Sequence, residues 1–355
     1  MCERGFPGPM SAGSNKYGVA GRRSALLSWV LGASGIAALA WILARIDYPA
    51  FSNALAEANW FLVALVPAAI LFEQWLRAWK WALLLAEQRR APLARVFAAQ
   101  MAGSLANFLV PVAGSPLARS WLVARSEGLP LASVLASVAL DRIVDGAAFV
   151  ALAIAVIVLV AVPESGAPLH TGLVAVALGS AALLAALVAL LGAFRKALRS
   201  GGPGGGRLLK WIPARLRVRT HPILSEFADG AAWPSNHARA SAILSLAFGV
   251  KAIAVTHLLW AGLALGVSLA IEQYMLLMVL LGFVVVLARF VRIPGGFLFA
   301  AIFLLELFGV DRERALAMAI IVQVSALVSV GAAGALSLVW FGAELRALKT
   351  YYVGR

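Results

Sequence analysis

The sequence predicts an all-α, polytopic membrane protein of about seven to eight transmembrane segments, with one or two of its helices re-entrant or broken. Three observations predict it. Of 355 residues, 62% are hydrophobic and 13% charged, with a mean hydropathy of +0.91, whereas a soluble domain is roughly a quarter charged. The apolar residues fall in continuous runs of about 20, the length of a helix that crosses a ~30 Å hydrocarbon core, and not in the short alternating segments of a barrel. The cations collect between those runs. The net charge of +14 therefore reads as a loop bias that orients spans in a bilayer, and not as a nucleic-acid footprint.

Residues 1–23 read as a poorly ordered cytoplasmic leader, 24–345 as a single polytopic membrane domain, and 346–355 as a basic tail. The first span is Ala25–Ala44; it is too long for the apolar core of a signal peptide and lacks a convincing small-residue cleavage site. Arg45–Asn59 carries one Arg and no Lys, which suits an outer loop. Span two runs from Trp60 to Trp79. Trp75, Trp79 and Trp81 with Arg77 and Lys80 are expected at headgroup depth, where aromatic and basic residues gather, and Glu73 and Arg77 as a local i,i+4 pair.

Arg89, Arg90 and Arg95 precede the short apolar run Ala98–Pro111, and Arg119 and Arg125 follow it. Inside signals on both flanks predict a re-entrant hairpin. Leu131–Val162 is a long helix, Pro163–Pro168 an outer turn, and Leu169–Phe194 the return. The segment 195–239 holds nine Lys or Arg and reads as a basic cytoplasmic loop. Within it, Ser200–Gly206 is a flexible linker, and Arg207–Arg219, with Trp211, suits either a segment lying on anionic lipid or an orienting loop. Ser241–Ile271 and Gln273–Ala288 are further spans, Phe297–Val310 crosses or re-enters, and Ala315–Phe341 is the last span.

Chemistry concentrates at Asp141-Arg142-Ile143-Val144-Asp145. The aspartates are four residues apart and share a helix face, with Arg142 expected to pair with them. Charges retained at membrane depth mark functional paths or fix one helix against another. Two helix breaks, Asn107–Gly114 and Pro294–Gly296, fall in opposite halves of the chain, a pattern that points to a transport site between inverted repeats. Lys251 lies ten residues into its span and is expected to face the bundle, with His257 as a packing histidine on another face. Glu306 has no assigned partner; Arg289, Arg292 and Lys251 are candidates. The four histidines are scattered and the single Cys2 lies in the leader, so neither a metal site nor an internal disulfide is expected. No cofactor is called for.

The ordered set Gly103-x-x-x-Asn107-x-x-x-Pro111-x-x-Gly114-x-x-x-x-Arg119, then Asp141-Arg142-x-x-Asp145, then Pro294-Gly295-Gly296 resembles the transmembrane domain family of lysylphosphatidylglycerol synthases and flippases. The resemblance covers roughly Ser24 to Phe341. It implies a bacterial inner-membrane protein with a cytoplasmic N-terminus that handles lipids, with translocation between leaflets as the activity. Some stand-alone members of that family are associated with hopanoid biosynthesis. Relatives often carry an acidic residue where Ser115-Pro116 stands, Glu-Arg where Asp141-Arg142 stands, and a glycine and a glutamate where Phe297–Ala301 is apolar. The aminoacyl-transfer domain of full-length synthases is missing from the sequence, so synthesis of lysyl-lipid is not expected.

The expected partner is a polar-headed or phosphate-bearing membrane lipid, with no nucleic acid. Candidate lipid-binding residues are Asn107, Pro111, Gly114, Arg119, Asp141, Arg142, Asp145, Lys251, Arg292, Pro294, Gly295 and Gly296. Arg119 follows a break whose backbone N–H groups can also receive an anion, and a guanidinium binds phosphate bidentately. Two other functions stay open: a membrane transferase acting on a lipid carrier, with Asp141 or Asp145 as base, and an accessory lipid-binding protein without transport.

Overall fold

The structure is a computed structural model that describes residues 40, 44–109, 114–159, 167–199, 214–291 and 296–353. Among these lie eleven helices and no strand: α1 Tyr48–Ala56, α2 Trp60–Leu85, α3 Leu93–Leu109, α4 Gly114–Glu127, α5 Leu131–Leu159, α6 Ala167–Arg199, α7 Ala214–Gly230, α8 His237–Ala264, α9 Ile271–Val291, α10 Gly296–Leu307 and α11 Arg312–Val353. Four stretches are long and apolar enough to cross a membrane: Trp60–Leu85, Val174–Lys196, His237–Ala264 and Arg312–Gly342. Ile271–Val285 and Gly296–Leu307 are shorter apolar helices. The chain is a multi-pass helical membrane protein. The expected first span, apart from Ala40 and Ala44, and the linker 200–206 lie outside the described residues.

The bundle is built around α2, which packs against α3, α5, α8 and α11. Asn59 starts it by accepting from the N–H groups of Phe61 and Leu62, and Asn236 starts α8 in the same way. Such caps satisfy donors that a helix start leaves free. The two helices are antiparallel along their length. At one end the Asn59 N–H donates to the Ala264 carbonyl at 2.8 Å; at the other Arg239 pairs with Glu87. That second end also carries Arg89, Arg90 and Arg95 and is called the basic end below.

Two apolar cores lie one above the other along α2. Towards the basic end Trp81, Leu84 and Leu85 pack with α3, α4, α5, Ile243 of α8 and Phe341 of α11. Towards the opposite end Val66 and Ile70 pack with Leu258 of α8, Tyr274 of α9, Leu305 of α10 and Met318 of α11.

Two helical hairpins enter this bundle from opposite ends. The α3–α4 hairpin starts and finishes at the basic end, where Glu127 accepts from Arg95 at 2.6 Å and its carbonyl accepts from Arg89 at 2.6 Å. The re-entrant expectation holds in form, although α3 begins at Leu93, earlier than the apolar run, because Leu93 and Val96 face the core beside Arg95. The α9–α10 hairpin starts and finishes at the other end: Tyr274 donates to the Val267 carbonyl, and Glu306 pairs with Arg312 at 2.5 Å beside the start of α11. The partner of Glu306 is therefore Arg312, six residues along, and none of the three expected bases.

At 12 residues α10 is about 18 Å long, short of a full crossing. It returns to the end from which α9 leaves, and α11 then runs to the basic end. The stretch 195–239 is not a plain loop: α6 continues to Arg199, and α7 packs on α5 and α6.

Candidate functional site

Between the two apolar cores, α2 turns a charged stripe inward. Glu73, Arg77 and Lys80 are spaced four and then three residues apart, which puts them on one helix face. Glu73 is 6% and Lys80 0% exposed. Lys80 and Trp81 are fully buried and face the bundle, whereas Trp79 is 40% exposed. Lys80 sits about 30 Å along a helix of 26 residues, but α5 and the α3–α4 hairpin cover it there.

The aspartates of α5 meet this stripe. Lys80 pairs with Asp145 and lies 3.1 Å from Asp141. Arg77 donates to the second oxygen of Asp145 at 3.0 Å and to Glu73 at 2.7 Å. From α4, Arg119 donates to Asp141 at 3.0 Å and to the Gln100 side chain of α3, with its guanidinium 4.7 Å above the Trp81 ring. His257 of α8 places Nε2 3.5 Å from Glu73. The pair Glu73–Arg77 exists, then, but as part of a network of five helices and not as a local surface contact.

Arg142 is the main correction. It is exposed and forms no ion pair among the described residues. One residue is about 100° on a helix, so a side chain next to Asp141 in sequence points away from the face that Asp141 and Asp145 share. The aspartates are held by Lys80, Arg119 and Arg77 instead.

Lys251 faces inward as expected, at 8% exposure. It has no carboxylate within ion-pair distance among the described residues, and its ammonium stands 5.8 Å from the Phe149 ring, in the field of Arg77, Asp145, Glu73 and Lys80. His257 joins the network through Glu73 and is not a detached packing residue. Counting histidine as neutral, the four cations Arg77, Lys80, Arg119 and Lys251 face three carboxylates, Glu73, Asp141 and Asp145. One positive charge is left over among the described residues. A group of that kind attracts an anion.

The contact between α3 and α4 adjoins this cluster. Gly103 and Gly114 let the two helices touch: a Cβ on Gly103 would stand 2.9 Å from the Cβ of Arg119, and one on Gly114 2.9 Å from the Ala106 carbonyl carbon. Asn107 lies at this contact. Gly296 starts α10 on the other hairpin and does not contribute to the ionic network. Pro111, Arg292, Pro294 and Gly295 lie outside the described residues. The structure thus unites Arg119, Asp141, Asp145 and Lys251 and adds Glu73, Arg77 and Lys80, which the sequence reading had kept apart from the lipid-binding set, and Gln100, which it did not name.

Residues 25–334 match the family described as Lysylphosphatidylglycerol synthase TM region. No curated protein and no solved structure matches the chain.

Proposed function

The chain belongs to the lysylphosphatidylglycerol synthase transmembrane-region family, and on that premise we propose that it carries a polar-headed, anionic lipid between the two leaflets. The observation that carries this reading is the excess cation of the buried cluster, set beside hairpins that enter from opposite ends. Broken helices meeting near the midplane are the usual frame of a substrate site in transporters. Lys251 is the free cation for the headgroup, while Lys80, Arg119 and Arg77 are held by Asp141 and Asp145 and give the site its shape. Lipid tails stay in the bilayer as the headgroup crosses.

A transferase reading needs a carboxylate free to act as base. Asp141 and Asp145 are each engaged by two cations, so the geometry favours binding over catalysis.

The same reading places the chain in the bacterial inner membrane, with the basic end, the leader 1–23, the segment 195–239 and the tail 346–355 in the cytoplasm around a single membrane domain of 24–345. Reconstitution into liposomes with a headgroup-labelled lipid, read by leaflet-selective quenching, tests the function. Label should become accessible faster than in protein-free vesicles, and an anionic lipid should compete better than a zwitterionic one of the same chains. Equal rates with and without protein contradict transport.

A further inference from the structure

A cavity of about 750 Å³ opens between α5, α6, α7 and α9, on the side of α5 opposite the ionic cluster. Its walls are apolar. Leu184, Leu187 and Leu191 form one stripe of α6, and Phe149 and Phe283 close the deep end edge-on at 5.0 Å. Among the described residues one charged side chain lines it: Arg142, the exposed residue that pairs with neither aspartate. The cavity runs along α5 from Ala139 to Val150, about 16 Å at 1.5 Å per residue, or half of a ~30 Å hydrocarbon core. Its outer wall faces the bilayer, since Leu187 and Leu190 are 44% and 65% exposed.

We propose that this cavity holds one acyl chain of an anionic phospholipid, with the lipid phosphate bound by Arg142. The dimensions suit a chain and the volume lies within the range of ligand sites. The charge complements a phosphate, which a guanidinium grips through paired N–H groups. Arg142 stands towards the basic end of the slot and the two phenyl rings stand deep in it, so headgroup and tail have fixed ends. Phe149 is shared: one contact of its ring meets the cavity and another meets Lys251. A seated chain therefore touches the same ring that stands beside the free cation of the cluster. The slot serves as a docking place beside that cluster. The proposal rests on the reading of the chain as a lipid-binding protein, and not on translocation.

The full chain is placed in phosphatidylcholine nanodiscs carrying a phosphatidylglycerol with a diazirine in the middle of one acyl chain, photolysed, and mapped by peptide mass spectrometry. Label should concentrate on α6 and on Phe283, above the level on Val328, Leu336 and Val339, which are exposed on α11. Leu187→Trp should fill the slot and bring α6 labelling down to the α11 level; Leu190→Trp, at a more exposed wall position, is the second variant. Arg142→Gln should abolish the preference for phosphatidylglycerol over a phosphatidylcholine probe with the same chain. Lys251→Met should leave the labelling intact even if it stops transport, which separates this proposal from the transport reading. Uniform labelling of α6 and α11, a pattern unchanged by both Trp variants, or a headgroup preference that survives Arg142→Gln would each overturn it.

Discussion

Asp145→Asn is expected to destabilise the protein by about 3–5 kcal/mol, the usual cost of breaking a buried pair from one side, while Arg142→Met leaves thermal stability close to wild type. Asp145 is 8% exposed and answers both Lys80 and Arg77. Its amide isostere keeps the volume and removes the charge, so the four cations of the cluster then face two carboxylates. The cluster already has one cation to spare, which makes loss of an acid worse than loss of a base. Adding Lys80→Met to Asp145→Asn should therefore recover part of the stability, because it removes a cation left to share Asp141 with Arg119. Thermal unfolding in detergent, followed by the fluorescence of the 11 tryptophans, measures all four proteins. Arg142→Met proving as costly as Asp145→Asn would contradict the pairing.

Gly114→Ala should cost about 1–3 kcal/mol by forcing a contact that cannot relax, and should lower lipid transport by more than its stability loss explains. The new methyl would stand 2.5 Å from the Ala106 carbonyl oxygen, and the obstacle is backbone, so the hairpin has to splay. Arg119, five residues along α4, then leaves the register in which it meets both Gln100 and Asp141. Gly103→Ala presses on Arg119 from the facing helix. The double variant should cost less than the sum of the two, since one separation relieves both contacts. Transport and melting temperature read on the same preparations decide it. A Gly114→Ala protein that transports at the wild-type rate would show that the hairpin contact does not set the site.

Most of the fold was legible because a bilayer imposes a length and a polarity on every span. The apolar run after Asn59 and the span that follows the basic stretch 195–239 both follow from local composition. The hairpin direction of α3–α4 followed from arginines on both flanks. The site was only half legible. Asp141, Asp145, Arg119 and Lys251 stand out as charges in apolar sequence, but their partners are set by packing. Lys80 and Asp145 are 65 residues apart, and no local pattern joins them.

A signal for Lys80 did exist: Glu73, Arg77 and Lys80 repeat at helical spacing, and three charges on one face of a span belong inside a bundle more readily than at its rim. The tryptophans around them suggested headgroup depth and hid it. Arg142 was misread for a related reason, because neighbours in a helical sequence are not neighbours in space. The basic segment 195–239 concealed α7 since its charges oriented the chain without marking an apolar face.

Lys251 is the residue on which the proposed function turns. A buried ammonium whose described contact is one aromatic ring at 5.8 Å gains about 0.5–2 kcal/mol from it, against several kcal/mol lost on leaving water. A cation kept at that cost is expected to serve binding and not folding. The deciding measurement is the rate of leaflet exchange of an anionic lipid by Lys251→Met in liposomes, alongside its melting temperature. The account predicts a protein at least as stable as wild type whose transport is largely lost and is partly restored in Lys251→Arg. A stable Lys251→Met protein that moves lipid at the wild-type rate would contradict it.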